Sequence, residues 1–345
     1  MPSFRTDATA RWALATSVVL ALGLSACSSD ATAGRPSTAS GSSPSSSAGS
    51  SSGAFTPVTL DNCGTTVKVT TPPQRVVTIK STATEMMLAL GLQDRLVGTA
   101  FSDGPVPDEW ADAAGDVPVL SAQVPGQEAL LAVDPDFVYG GWESNFSADG
   151  AGDRAGLAKL GIGTYVSPAA CKEPEYKPDP LTFDDVYDEV GEVGSIFGVP
   201  DAATSVVDGM KASLAEATKP AGKTTALWYS SGTDTPYVGA GIGSPQMIMD
   251  AAGLTNIFAS VHDTWTSAGW EQIVADDPDV IVLVDATWNT AADKIKLLES
   301  NAATRELTAV TEKRYLTLPF ASTEAGVRNA EAVVSLDQQL ADLDK

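Results

Sequence analysis

Histidine is almost absent from this chain: His262 is the only one in 345 residues. A serine–histidine–carboxylate triad would have to use it, and no Gly-x-Ser-x-Gly elbow stands between a strand-like and a helix-like segment. A histidine-built metal centre is equally short of ligands. Cysteine is scarce, with Cys27, Cys63 and Cys171 alone. Basic residues number 21 against 44 acidic ones, a formal charge of −23. Nucleic acid therefore does not fit as a partner, because phosphate backbones need a basic face. The loop Gly239-Ala-Gly-Ile-Gly243 is not followed by Gly-Lys-Ser/Thr, which excludes a Walker-type phosphate loop. No apolar run reaches the ~20 residues of a membrane span. These gaps point to a protein that binds rather than catalyses, with no resident cofactor or metal.

What is there begins with an address. Arg5 and Arg11 precede an apolar run from Trp12 to Leu24, followed by Leu24-Ser25-Ala26-Cys27. A basic start, a short apolar core and a small-residue cleavage site read as an export signal over residues 1–26. Leu-Ser-Ala-Cys also resembles the lipobox of bacterial lipoproteins, in which the cysteine is lipidated and becomes the first residue. A plain secretory signal with an incidental cysteine is the alternative. Residues 28–53 contain 12 serines among 26 positions, a composition with nothing to bury. Residues 27–53 thus read as a lipid anchor at Cys27 and a tether. Removing residues 1–26 leaves a charge of −24, which favours a soluble, monomeric body. With Cys27 consumed by lipid, an exported chain is expected to join Cys63 to Cys171, two free thiols being the alternative.

The most informative internal feature is a repeat. Glu128-Ala-Leu-Leu-Ala-Val-Asp-Pro-Asp136-Phe-Val138 returns 143 residues later as Glu271-Gln-Ile-Val-Ala-Asp-Asp-Pro-Asp279-Val-Ile281. Each copy reads as a short helix stopped by proline and then a strand. Strands are predicted at 75–80, 96–100, 117–120, 136–139, 163–166, 224–229, 280–284 and 314–318. Helices at 82–90, 127–133, 148–160, 245–252, 271–275 and 291–299 lie between them. Alternating strands and helices imply an α/β architecture with doubly wound parallel sheets. Residues 54–182 read as one lobe and 219–345 as the other. Between them, Val186, Val190, Val193, Ile196 and Phe197 recur at helical steps, predicting one long connecting helix over 183–218 that Gly198-Val199-Pro200 could kink.

At this point the chain resembles a known family, the class III substrate-binding proteins of ABC importers. The resemblance rests on Arg75-Val-Val-Thr-Ile-Lys-Ser-Thr-Ala-Thr-Glu85 with Leu88-Ala-Leu-Gly-Leu92, and on the doubled Glu-x-apolar-apolar-Ala-x-x-Pro-Asp block. It covers roughly residues 55–343. It implies two Rossmann-like lobes, a rigid helical connector, a ligand cleft between the lobes and delivery to a permease dimer with its ATPase. Such proteins serve ferric siderophores, haem, corrinoids and related compounds. Gly140-Gly-Trp-Glu-Ser-Asn145, Ser167-Pro-Ala-Ala-Cys-Lys-Glu-Pro174, the stretch Leu227–Gly243 and Asp285-Ala-Thr-Trp-Asn-Thr290 further resemble an actinobacterial subgroup. That subgroup is assigned to uptake of the non-glutamylated precursor of the deazaflavin coenzyme F-420.

Ligands of open α/β sheets lie beyond the carboxyl ends of the strands. Those positions here are Lys80, Ser81, Thr82, Phe101, Ser121, Trp142 and the loop from Ser167 to Lys172 in the first lobe. In the second they are Trp228, Tyr229, Ser230 and Ser231, the stretch Tyr237–Ser244 with Gly241, Trp265, Trp288 and the stretch Phe320–Glu324, with Arg328 as a further cation. Tryptophan at strand ends suits stacking on a flat ring system, although each could equally fill core. Lys80 ends an apolar strand and could neutralise a ligand phosphate or carboxylate, helped by Lys172 or Arg328. Thr82-Ala-Thr-Glu85 reads as a capping box, which makes Glu85 structural. Gly243-Ser244-Pro245 reads as a helix start able to meet an anion. Glu128 and Glu271 favour their helix dipoles by position alone. By resemblance they would instead meet one permease subunit each. Three readings stay open: a receptor for an anionic aromatic cofactor such as the deazaflavin, a receptor for a siderophore, haem or corrinoid, and an anchored hydrolase using carboxylates.

Overall fold

The computed structural model describes residues 55–218, 223–343 and 345. The export signal, Cys27 and the whole of the tether lie outside the described residues. A two-stranded antiparallel hairpin, β1 (Val58–Asn62) and β2 (Thr65–Val69), opens the body. The first lobe then builds β3 (Val76–Ile79), β4 (Leu96–Ala100), β5 (Val119–Ser121), β6 (Phe137–Gly140) and β7 (Gly163–Val166). They form a parallel sheet in the order β5-β4-β3-β6-β7. The order reverses between β3 and β6, and the open crevice of a doubly wound sheet lies at such a switch point.

The second lobe repeats the plan with β8 (Thr224–Ser231), β9 (Tyr237–Gly239), β10 (Leu254–Asn256), β11 (Trp265–Ser267), β12 (Val280–Asp285) and β13 (Tyr315–Pro319). β8, β12 and β13 run parallel, β10 joins the start of β8, and β9 and β11 close the edge antiparallel. Both sheets are covered on both faces, which is why their strands read as continuous apolar runs. In β12, Val280, Val282 and Val284 enter one buried cluster, whereas Ile281 and Leu283 enter another. The first of these clusters runs from Val76 in the first lobe to Leu316 in the second, so the lobes share apolar core. No helix among the described residues is long and apolar enough to cross a membrane.

The repeat has a local physical purpose. Asp134 and Asp277 both take left-handed φ, 47° and 37°, just before the prolines. The following aspartates then tie strand starts together. Asp136 accepts from the amides of Gln74 and Arg75 at the entry to β3, and Asp279 accepts from the Thr225 amide in β8. The turn thereby sets the register of the central strand pair in each lobe.

Two expectations are corrected. Residues 183–218 form two helices, Phe183–Phe197 and Pro200–Glu216, not one. Gly198 ends the first with φ 69° and Pro200 starts the second, the positions where each residue favours a boundary. Of the helix expected over 148–160, only Arg154–Lys159 forms, because Gly150 closes a turn on Ser147 and Gly152 turns the chain with φ 98°. Cys63 and Cys171 are bonded, with their Cα atoms 5.3 Å apart, and fasten the hairpin turn to the segment after β7.

Candidate functional site

The carboxyl ends of the two sheets face each other across a cavity of about 410 Å³. Its walls come from both lobes, with Thr82, Trp142 and Ser167 on one side and Ser230, Ser231, Ser244, Trp288, Phe320 and Glu324 on the other. Thr82 lies in the helix Ser81–Ala89 that leaves β3, and Trp142 follows β6. Those two exits run so close that a Cβ on Gly141 would lie 2.8 Å from Lys80 Cβ and Thr82 Oγ1, so glycine is required there.

Aromatic rings dominate the lining. Trp142 meets Phe320 at 6.5 Å between ring centres, and Phe320 meets Trp288 at 5.8 Å. Tyr237 and Trp265 stack at 5.9 Å with an interplanar angle of 14°. Trp288 is 55 % exposed, a large apolar surface left to a ligand. Trp142 also bridges the lobes: its indole N–H donates to Glu324 Oε2 at 2.8 Å. Burial pushes the Glu324 carboxyl above its usual range, while the Trp142 bond and the charge of Lys80 pull the other way.

Several expected site residues lie elsewhere. Lys80 is 1 % exposed and ion-paired with buried Asp103. Its ammonium sits 3.9 Å from the Trp142 ring centre, 4.4 Å from Phe101 and 4.8 Å from Phe320. Lys80 therefore supports the aromatic floor from beneath as a caged cation and does not line the cavity. Ser81 is occupied in the same cluster, its Oγ accepting from the Asp103 amide at 2.8 Å, and Phe101 packs edge-on to Trp142.

Trp228 and Tyr229 are fully buried on opposite faces of β8, so only Ser230 and Ser231 beyond them reach the cleft. Gly241 packs against the backbone of Ala259 and Val261, and its neighbours Ile242 and Gly243 line the cavity instead. Lys172 is exposed outside the cavity. Arg328 is buried and paired with Glu85 at 3.3 Å and Glu331 at 3.1 Å. Glu85 is no cap: its helix starts at Ser81 without a side-chain cap, and its carboxylate crosses to the second lobe. Ser244 likewise does not cap, since Gly243 holds that position and Ser244 Oγ donates to Thr323 O at 2.6 Å.

Thr82, Trp142, Ser167, Ser230, Ser231, Tyr237, Ser244, Trp265, Trp288, Phe320 and Glu324 are expected residues that do line the cavity. The model of a family described as periplasmic binding protein matches residues 76–321, which spans both sheets and the connecting helices. The chain belongs to the periplasmic binding protein family. Within it, the chain is 25 % identical over 303 residues to the uncharacterized ABC transporter substrate-binding lipoprotein YvrC of Bacillus subtilis, covering 82 % of this chain and 85 % of that one. It is 27 % identical to a cobalamin-binding protein of Halobacterium salinarum over 72 % of this chain and 64 % of that protein. A solved structure of an ABC-type Fe3+-hydroxamate transport system from Saccharomonospora viridis matches with a TM-score of 0.70 at 25 % identity, covering 82 % of this chain and 99 % of that one. Its two lobes with parallel sheets have the fold of the class III periplasmic binding proteins.

Sequence reasoning missed one charged lining group of this binding protein, Lys177. Lys177 lies on an irregular loop whose closely spaced prolines 174, 178 and 180 were the one available signal of fixed backbone. Glu128 and Glu271 both stand exposed in the first turns of their helices, Gln127–Leu131 and Trp270–Asp276.

Proposed function

We propose that this protein is the exported receptor of an ABC importer and that its ligand is a planar aromatic anion, the non-glutamylated deazaflavin precursor of coenzyme F-420. The observation that carries the reading is the aromatic lining: Trp142, Tyr237, Trp265, Trp288 and Phe320 border one cavity of about 410 Å³. That volume falls in the usual range for small-molecule sites, and such rings favour a flat partner. The hydroxyls of Thr82, Ser230 and Ser231 supply hydrogen bonds around the rings. In this reading Cys27 anchors the chain to the outer face of the cytoplasmic membrane. The exposed Glu128 and Glu271 meet the two permease subunits, and the receptor works as a monomer.

A second reading keeps the receptor and changes the ligand. The matches to a cobalamin-binding protein and to a Fe3+-hydroxamate transport system favour a corrinoid or a ferric siderophore, with haem in the same group. Titration of the purified protein with each compound, read by tryptophan quenching, separates the two. Saturable submicromolar binding of the deazaflavin precursor, weakened about tenfold or more by Trp265→Ala, supports the first reading. Tight binding of cobalamin, haem or a ferric siderophore with no response to the deazaflavin retires it in favour of the second.

A further inference from the structure

The protein is acidic by composition, yet its cleft offers a ligand one positive group. Among the described residues that line it, only Lys177 and Glu324 carry ionisable side chains of opposite sign. Of the other cations expected at the cleft, Lys172 stands outside the cavity and two are spent. Lys80 is held by Asp103, and Arg328 is divided between Glu85 and Glu331. Lys177 is half-buried, and no acidic side chain among the described residues pairs with it.

The loop that carries Lys177 is held at three points. The Cys63–Cys171 bond fixes its start. The Tyr176 ring lies against the hairpin turn, where a Cβ on Gly64 would come within 3.1 Å of it. The Leu181 amide donates across to Ile242 O in the second lobe at 2.9 Å. A short 3-10 turn over Pro174–Tyr176 closes with the Lys177 amide donating to Pro174 O at 3.1 Å. The backbone of Lys177 is therefore fixed beside the cavity, and only its flexible stem remains to adjust. A half-buried, unpaired ammonium at the wall of an apolar cleft strengthens any anion brought to it, because little water screens the pair.

We infer that Lys177 determines specificity by charge, and that the cleft selects aromatic ligands bearing one compact anionic group over ligands with charge spread around their periphery. This deepens the reading of the cleft as the ligand site and rests on it. A chelate with several separated carboxylates would bury all but one without a partner, and unpaired buried charge is costly.

The test is calorimetric titration of wild type, Lys177→Met and Lys177→Arg. The probes are the deazaflavin precursor, its ring-and-ribityl fragment without the anionic tail, cobalamin and a ferric hydroxamate. The expected result is a loss of about tenfold or more for the precursor in Lys177→Met, about 1.4 kcal/mol. The fragment should bind unchanged, and Lys177→Arg should retain most of the affinity. Unchanged fragment binding also verifies that the variant is folded. Equal losses for precursor and fragment, or none, overturn the role of Lys177 and leave the deazaflavin reading standing. Binding of another anionic probe that depends on Lys177, with no response to the deazaflavin, supports the role of Lys177 and retires the deazaflavin. Binding of no probe, or of neutral probes only with no effect of the substitution, overturns the inference.

Discussion

Single residues in this protein matter most where a charge has been taken out of water. Glu189 is 3 % exposed, on the first connecting helix, and accepts from the Tyr139 hydroxyl at 2.8 Å and the Ser167 hydroxyl at 3.0 Å. Ser167 also lines the cleft, so Glu189 sits one hydrogen bond from the ligand site. Burial pushes its carboxyl from 4.5 up to about 7, with the two hydroxyls pulling down and Glu192 pushing further up. The folded state thus holds a proton that the unfolded state has released. Its contribution is fully present below about pH 4.5 and is lost as pH rises through about 7. Glu85, raised to about 7 chiefly by burial, acts with the same sign. Melting temperature should therefore fall between pH 5 and 8, and Glu189→Gln should flatten part of that fall. The difference should reach about 1–3 kcal/mol at pH 8 in favour of the variant. A variant whose melting tracks wild type across the whole range would show that Glu189 is ionised throughout. Lys80 teaches a related lesson, since the same strand-end position that suggested a ligand contact also lets its stem pass beneath Trp142 to Asp103.

At the scale of elements, the connection between the lobes depends on one left-handed residue. Gly198 has φ 69°, and a Cβ there would lie 3.1 Å from Phe55 and Pro72. Gly198→Ala should cost about 1–2 kcal/mol in urea unfolding, from backbone strain at positive φ together with crowding. No loss would mean that the two helices can turn without that geometry. The break was hard to see because apolar periodicity measures which face is buried, not whether the backbone is continuous. The central strands were legible because runs such as Val280–Val284 are buried on both faces. β9, β10 and β11 were not, at three residues each. The same run length misled at the site, where Trp228 and Tyr229 belong to the buried body of β8 and only Ser230 and Ser231 emerge at its end. The aromatic wall was partly legible, through Trp142, Trp265 and Trp288, as polar-flanked tryptophans after strands. Lys177 was not, because its place depends on a disulfide that no local pattern encodes.

For the whole molecule, the question is what holds two similar lobes at one spacing around the cleft. Besides the shared core and the connecting helices, polar bonds cross between them: Trp142 to Glu324 at 2.8 Å, Arg328 to Glu85 at 3.3 Å, the Leu181 amide to Ile242 O at 2.9 Å and His262 to Asp179 at 3.0 Å. The second is buried on both sides, 7 % and 1 % exposed, so its removal is not symmetric in effect. Arg328→Met alone leaves Glu85 buried without its cation and should destabilise by roughly 3–5 kcal/mol, less if Glu85 takes up a proton. Glu85→Leu with Arg328→Met removes both charges and should recover most of that loss, because an apolar pair of similar volume escapes the desolvation cost. The pair then contributes geometry more than stability. If so, the double variant should melt near wild type yet bind ligand more weakly, with small-angle scattering showing a larger radius of gyration for the unliganded protein. Wild-type affinity and an unchanged radius in a stable double variant would assign the spacing of the lobes to the shared core, the two connecting helices and the remaining bonds between the lobes. A double variant that stays as unstable as Arg328→Met would instead mean that the pair itself stabilises the interface, a buried bond strong enough to outweigh the loss of water around both charges.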